Sequence, residues 1–166
     1  SLGEYSALVA AGSLSLGDAV KLVNLRGKLM QSAVPQGKGA MAAILGLDDA
    51  QVVALCQQVS SQAEGSVEAA NYNAQGQVVI AGHKAAVERA GELCKTYGAK
   101  RALPLPVSVP SHCALMKPAA AQLQLDLAAL TFHTPVTPVV NNVDVAVVTS
   151  QEAMKDALIR QLFSPV

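Results

Sequence analysis

VEAANYNAQGQVVIAGH, Val67 to His83, decides how this chain folds. Two apolar-rich runs, Val67–Ala74 and Gln77–His83, flank Gln75-Gly76. A two-residue link containing glycine between such runs reads as a tight turn joining two strands. Upstream, AMAAILGL (40–47) is a short apolar strand, and DDAQVVALCQQVSSQ (48–62) is a helix. Asp48 and Asp49 suit that helix's positive N-terminal end. Downstream, KAAVERAGELCKTYG (84–98) is a helix closed by Gly98 in a left-handed cap. AKRALPLPVS (99–108) is a strand edged with prolines. From about Gly39 to Ser108 the order is strand, helix, strand, strand, helix, strand. That is the split βαβ of a ferredoxin-like unit.

Further outward the pattern changes. Leu2–Ala11 reads as a helix stopped by Gly12. Asp18–Ala33 reads as a second helix, with Ser15 or Gly17 near its start and Pro35 and Gly37 beyond its end. After the central unit come a helix over Cys113–Leu130, a strand TPVVNNV (137–143) and a helix SQEAMKDALIRQLF (150–163). The simplest reading is an α/β body, residues 1–36 and 109–166, interrupted by a small ferredoxin-like insertion over 37–108. Both ends read as interior to something larger.

Composition narrows the function classes. The 166 residues are 51% hydrophobic and 14% charged, enough for a real core. A formal net charge of +0 argues against a nucleic-acid footprint or a polybasic membrane surface. No apolar run approaches the ~18–20 residues of a membrane span. Cys56, Cys94 and Cys113 are widely spaced, with no CxxC pair. They suit free buried thiols in a reducing cytoplasm better than disulfides or zinc. No glycine-rich phosphate loop and no metal-ligand cluster is present in the sequence.

The chemistry starts at SLGEYSALVAAG (1–12). A serine at a strand-to-helix corner followed by x-Gly is the second half of the G-x-S-x-G nucleophile elbow. On its own the triplet reads as well as an ordinary N-cap serine. Taken with LRGKLMQ (25–31), GQVVIAG (76–82) and PVSVPSH (106–112), the run resembles the malonyl-CoA:acyl-carrier-protein transacylase family over essentially the whole chain. The resemblance implies an α/β-hydrolase-like body with an inserted ferredoxin-like subdomain.

The resemblance also implies roles. Ser1 matches the nucleophile that takes the malonyl group from coenzyme A as an ester and passes it to the phosphopantetheine thiol of acyl carrier protein. His112 matches the general base that a weakly nucleophilic hydroxyl requires. Arg26 matches the arginine that grips the malonyl carboxylate, where a planar guanidinium outperforms lysine. Met30, four residues on and so on the same helix face, matches a pocket-lining methionine. Leu2 matches the backbone N–H donor to the oxyanion. The coenzyme A thioester is a substrate, and no tightly bound cofactor or metal is expected. Malonyl-CoA and acyl carrier protein are the expected partners, for a monomeric cytoplasmic enzyme of fatty-acid synthesis. An acyltransferase domain of a multi-domain polyketide or fatty-acid synthase shares these features, and a folded but inactive module is a third reading.

The other candidates read as structural: His83 and His133 near turns, and Cys113 as a buried thiol. Asn71, Asn73, Asn141 and Asn142 lie near strand ends and are given no role. The family pattern places a glutamine whose carbonyl orients the base in a region expected beyond Val166. A strand expected before Ser1 is missing too. These gaps predict an intact central unit but a damaged body, with Ser1 and His112 too far apart to hydrogen-bond unless another chain or further residues complete it.

Overall fold

The computed structural model describes residues 1–62, 65–107 and 109–166. Its only sheet among these residues has four strands, β1 (Gly39–Leu45), β2 (Val67–Ala74), β3 (Gln77–His83) and β4 (Arg101–Pro104). They lie in the order β2-β3-β1-β4, and every neighbouring pair is antiparallel. The hairpin turns at Gln75-Gly76, where Gly76 takes a φ of 69°. The expected end of the last strand at Ser108 lies outside the described residues. Gly82 explains part of the GQVVIAG run. A Cβ there would sit 2.1 Å from the Ser66 carbonyl oxygen, so β3 can approach the start of β2 only through a glycine.

Helices α3 (Asp49–Gln62) and α4 (Lys84–Thr96) pack on one face of the sheet. Between them lies a core that includes Ile44, Val52, Val59, Val78, Ile80 and Cys94. The opposite face buries Met41, Ala70, Val79 and Ala81 against Cys113. This second face matters for the site, because it seats the residue next to His112. The Cys113 thiol donates to the Pro110 carbonyl at 3.2 Å, and burial pushes it up to about 12, so it is inert.

Helices α1 (Leu2–Ala10), α2 (Leu16–Ala33), α5 (Lys117–Ala129) and α6 (Gln151–Phe163) enclose a second core, with a single 3₁₀ turn over Ala114–Met116. Tyr5, Leu8, Leu22, Met116, Leu123 and Leu158 are among its residues. Ser15 caps α2 by accepting from the Asp18 N–H at 3.0 Å, which starts that helix slightly ahead of the expected Asp18. Ser150 caps α6 in the same way. The chain's last residues return to the sheet: Val166 N–H donates to Ala70 O and Tyr72 N–H to Val166 O.

The expected strand over 137–143 is not formed. Among the described residues this segment makes one isolated bridge, Val140 to Val147. Val136 and Val140 stay exposed. An extended segment becomes a strand only by pairing its peptide groups along a neighbour, and among the described residues that pairing does not extend beyond the bridge. Pro138 removes one donor as well. The portions outside the central sheet therefore pack as helices around their own core.

Candidate active site

Two helix ends face one another. Ser1 stands at the N-cap of α1, yet its hydroxyl makes no capping bond. Instead Ser1 Oγ lies 3.1 Å from His112 Nε2 and 3.3 Å from Arg26 Nη2. The expectation that Ser1 and His112 would be too far apart was wrong. Residues of α1, α2 and α6 share one core beneath the nucleophile.

His112 is held from both sides by the C-terminal turn of α6. Its main-chain N–H donates to Leu162 O at 3.0 Å, and its Nδ1 lies 2.6 Å from Gln161 O. The last carbonyls of a helix have no partner inside it, so they are free to accept these bonds. A carbonyl only accepts, so Nδ1 carries the proton and Nε2 presents a lone pair to the Ser1 hydroxyl. The hydroxyl can then donate to Nε2 while accepting from Arg26. His112 also has a φ of 61°, a left-handed conformation that a non-glycine residue adopts rarely. Burial lowers its pKa from the ordinary 6.5 to about 4; the Gln161 carbonyl opposes this and the Arg26 charge adds to it. The imidazole is therefore neutral and able to accept a proton at neutral pH.

Arg26 lies on the inner face of α2, 8% exposed. Its Nη2 donates to Ser1 Oγ and to Gln161 Oε1, both at 3.3 Å, and its Nε finds no acceptor. Its Cζ sits 5.8 Å from the centre of the Tyr5 ring. No ion pair with a carboxylate satisfies it among the described residues. A buried guanidinium with two long bonds to neutral oxygens retains its demand for an anion.

Met30 is buried one turn beyond Arg26, within the helical core. Leu2 exposes its side chain, and its N–H belongs to the first turn of α1, where N–H groups have no intrahelical acceptor. His83 stands at the N-cap of α4 without a side-chain capping bond, and its ring accepts from Ser66 N–H at 2.9 Å. His133 is exposed. Asn141 binds the Ala146 carbonyl locally, whereas Asn142 Oδ1 accepts from Gln161 Nε2 at 3.1 Å.

Gln161 is the residue that the sequence reading missed. The base-orienting carbonyl expected beyond Val166 is supplied inside the chain, by Gln161. A signal for it existed. Met154, Ala157, Leu158, Gln161 and Leu162 form the buried stripe of α6. A fully buried glutamine on an apolar helical face needs a polar reason to be there.

This constellation sits in a sequence of known kind. Residues 1–166 match the acyl transferase domain family. The chain belongs to that family. The malonyl CoA-acyl carrier protein transacylase of Escherichia coli (strain K12) is 64% identical over 167 residues, covering 100% of this chain and 53% of that protein. The solved acyl carrier protein S-malonyltransferase of Vibrio cholerae is 62% identical with a TM-score of 0.95, covering 99% of this chain and 53% of its own. A malonyl-transacylase solved in complex with its type II PKS acyl-carrier protein is 58% identical with a TM-score of 0.95, covering 98% of this chain and 52% of its own. The acyl transferase chain described here spans about half the length of the curated relatives it matches.

Proposed function

We propose that this chain carries the nucleophile, base and carboxylate-binding arginine of a malonyl-CoA:acyl-carrier-protein transacylase working in cytoplasmic fatty-acid synthesis. The observation that carries the reading is Ser1 Oγ lying between His112 Nε2 and a buried Arg26 with no carboxylate partner among the described residues. Arg26 takes the malonyl carboxylate and aligns the thioester over Ser1. Ser1 Oγ attacks the thioester carbonyl carbon while its proton passes to His112 Nε2. The oxyanion forms at the N-terminus of α1, where the Leu2 N–H donates to it. The tetrahedral intermediate collapses by breaking the carbon–sulfur bond, and His112 returns the proton to the departing thiolate of coenzyme A. The malonyl group is left as an ester on Ser1. The phosphopantetheine thiol of acyl carrier protein then attacks that ester by the same steps, with His112 accepting the thiol proton and returning it to Ser1 Oγ. Met30, buried one turn beyond Arg26 on α2, lines the acyl site in this reading.

The two helix ends support this assignment electrostatically. Negative charge develops at the positive end of α1, and positive charge develops on His112 at the negative end of α6. For the architecture, we read residues 37–108 as a ferredoxin-like subdomain, supported by the antiparallel β2-β3-β1-β4 order with α3 and α4 on one face. Residues 1–36 and 109–166 are then parts of an α/β-hydrolase-like body. The test is the intact mass of the full-length protein after mixing with malonyl-CoA. One malonyl group should add to Ser1, and Ser1→Ala should abolish the adduct. An adduct that survives Ser1→Ala, or maps to Cys113, overturns the assignment.

A further inference from the structure

Glu4 is a carboxylate in a buried position. It lies in the first turn of α1 and is 7% exposed. Its Oε2 accepts from Gln161 Nε2 at 2.8 Å and from the Asn142 main-chain N–H at 2.8 Å. No ion pair joins it to Arg26 among the described residues. The acyl-transfer steps leave this acid unused.

The Gln161 side-chain amide connects it to the site. Around Nε2 stand three oxygens: Glu4 Oε2 at 2.8 Å, Asn142 Oδ1 at 3.1 Å and Ser1 O at 3.2 Å. On the other side Oε1 accepts from Arg26 Nη2 at 3.3 Å. Reversing the amide would set its NH₂ against the guanidinium and its oxygen against a carboxylate and a carbonyl. Glu4 Oε2 also accepts from the Asn142 main-chain N–H, which holds it toward Gln161 as an acceptor and opposes that flip, whereas the Asn142 side-chain amide could turn with it. The Glu4 contact is also the shortest of the three.

We propose that Glu4 is a positioning residue for acyl-donor recognition: it locks the Gln161 amide so that its oxygen holds the Arg26 guanidinium toward Ser1. The inference rests on the reading of Arg26 as the carboxylate-binding group. Glu4 itself touches neither substrate nor reacting atoms. The Gln161 main-chain carbonyl that orients His112 is fixed by the helix and not by the side chain. Loss of the lock should therefore weaken recognition of the donor carboxylate and leave the base in place.

The experiment uses the full-length protein with Glu4→Ala, Glu4→Gln, Gln161→Ala and the Glu4→Ala/Gln161→Ala double variant, assayed with malonyl-CoA and acetyl-CoA. Glu4→Ala should raise KM for malonyl-CoA by roughly 10- to 100-fold, as expected for a lost hydrogen bond to a charged group. Acetyl transfer and the acid limb of the pH–rate profile should hold. Glu4→Gln keeps an acceptor oxygen, which the Asn142 main-chain N–H holds facing Gln161, and should rescue KM to within about threefold, and the double variant should be no worse than the worse single one. Equal loss for both acyl groups, additive losses or a failure of Glu4→Gln to rescue would overturn the proposal. If Glu4→Ala does not fold, Gln161→Ala must still show the malonyl-selective rise in KM, and its absence refutes the lock. A wild-type protein that forms no malonyl ester on Ser1 would instead sink the acyl-transfer reading itself.

Discussion

Arg26→Ala separates the two contributions that Arg26 can make. In the resting site its guanidinium has only two bonds, both at 3.3 Å and both to neutral oxygens. The bond to Ser1 Oγ is available whatever acyl group arrives. A bond of that kind is worth about 0.5–1.5 kcal/mol, so its loss should slow acylation by any donor by no more than roughly tenfold. The pair with a malonyl carboxylate is different, being charge-assisted and desolvated on a residue only 8% exposed. Truncating one partner of such a pair costs about 2–5 kcal/mol. That corresponds to roughly 30-fold to several-thousand-fold.

The ratio of malonyl to acetyl transfer should therefore fall in Arg26→Ala, with acetyl transfer slowed by no more than roughly tenfold. The assay is single-turnover formation of the Ser1 ester in the full-length protein, followed by intact mass with each thioester. Arg26→Lys should recover only part of the loss, because an ammonium keeps the charge but not the planar fork. Equal loss for malonyl and acetyl donors would refute the reasoning. Arg26 would then serve the nucleophile or the packing on Tyr5, and the specificity would lie elsewhere.

Two further outcomes follow from burial. His112 has its pKa held at about 4, so the acid limb of kcat/KM in the free protein should fall near 4, and a limb near 6.5 would contradict the buried neutral base. The same depression couples to stability. The unfolded histidine takes a proton as pH drops below 6.5 and the folded one resists until about 4, so stability present above 6.5 should decline across that window by about 3 kcal/mol; denaturant midpoints of wild type and His112→Gln would show it. Gly82→Ala should lower the unfolding midpoint by the equivalent of about 1–3 kcal/mol or more, because its Cβ meets the Ser66 carbonyl oxygen at 2.1 Å and backbone cannot yield as a side chain can.

The parts legible in the sequence were those set by local rules. The hairpin at Gln75-Gly76, the glycine stops at Gly12 and Gly98 and the apolar runs of the sheet follow from turn chemistry and periodicity, and each is formed as read. The segment 137–143 failed because strand formation is a property of two segments. Its valines satisfy strand propensity, but among the described residues its pairing stops at a single bridge to Val147. Ser1, Arg26 and His112 were found through motifs, and the fold brings them together across large sequence separations. Gln161 escaped because its place in the apolar stripe of α6 marks only its side chain, while nothing local marks its main-chain carbonyl as a functional group.

That difference has a physical origin. The site depends on two helix termini, and a terminus acts through its peptide groups. Any residue at the end of α6 could offer the carbonyl oxygens that clamp His112, since every residue carries one. The side chain at the same position is restricted instead by what surrounds it: a carboxylate, two further oxygens and a cation, all buried around one amide. Glutamine alone among side chains of that length presents a donor face and an acceptor face without a charge of its own. A glutamate there would pair with Arg26 and compete with the acyl donor for it, while repelling Glu4. Gln161→Glu should therefore depress malonyl transfer more than acetyl transfer even though the carbonyl holding His112 is unchanged, so the base and the specificity element can be separated within one residue.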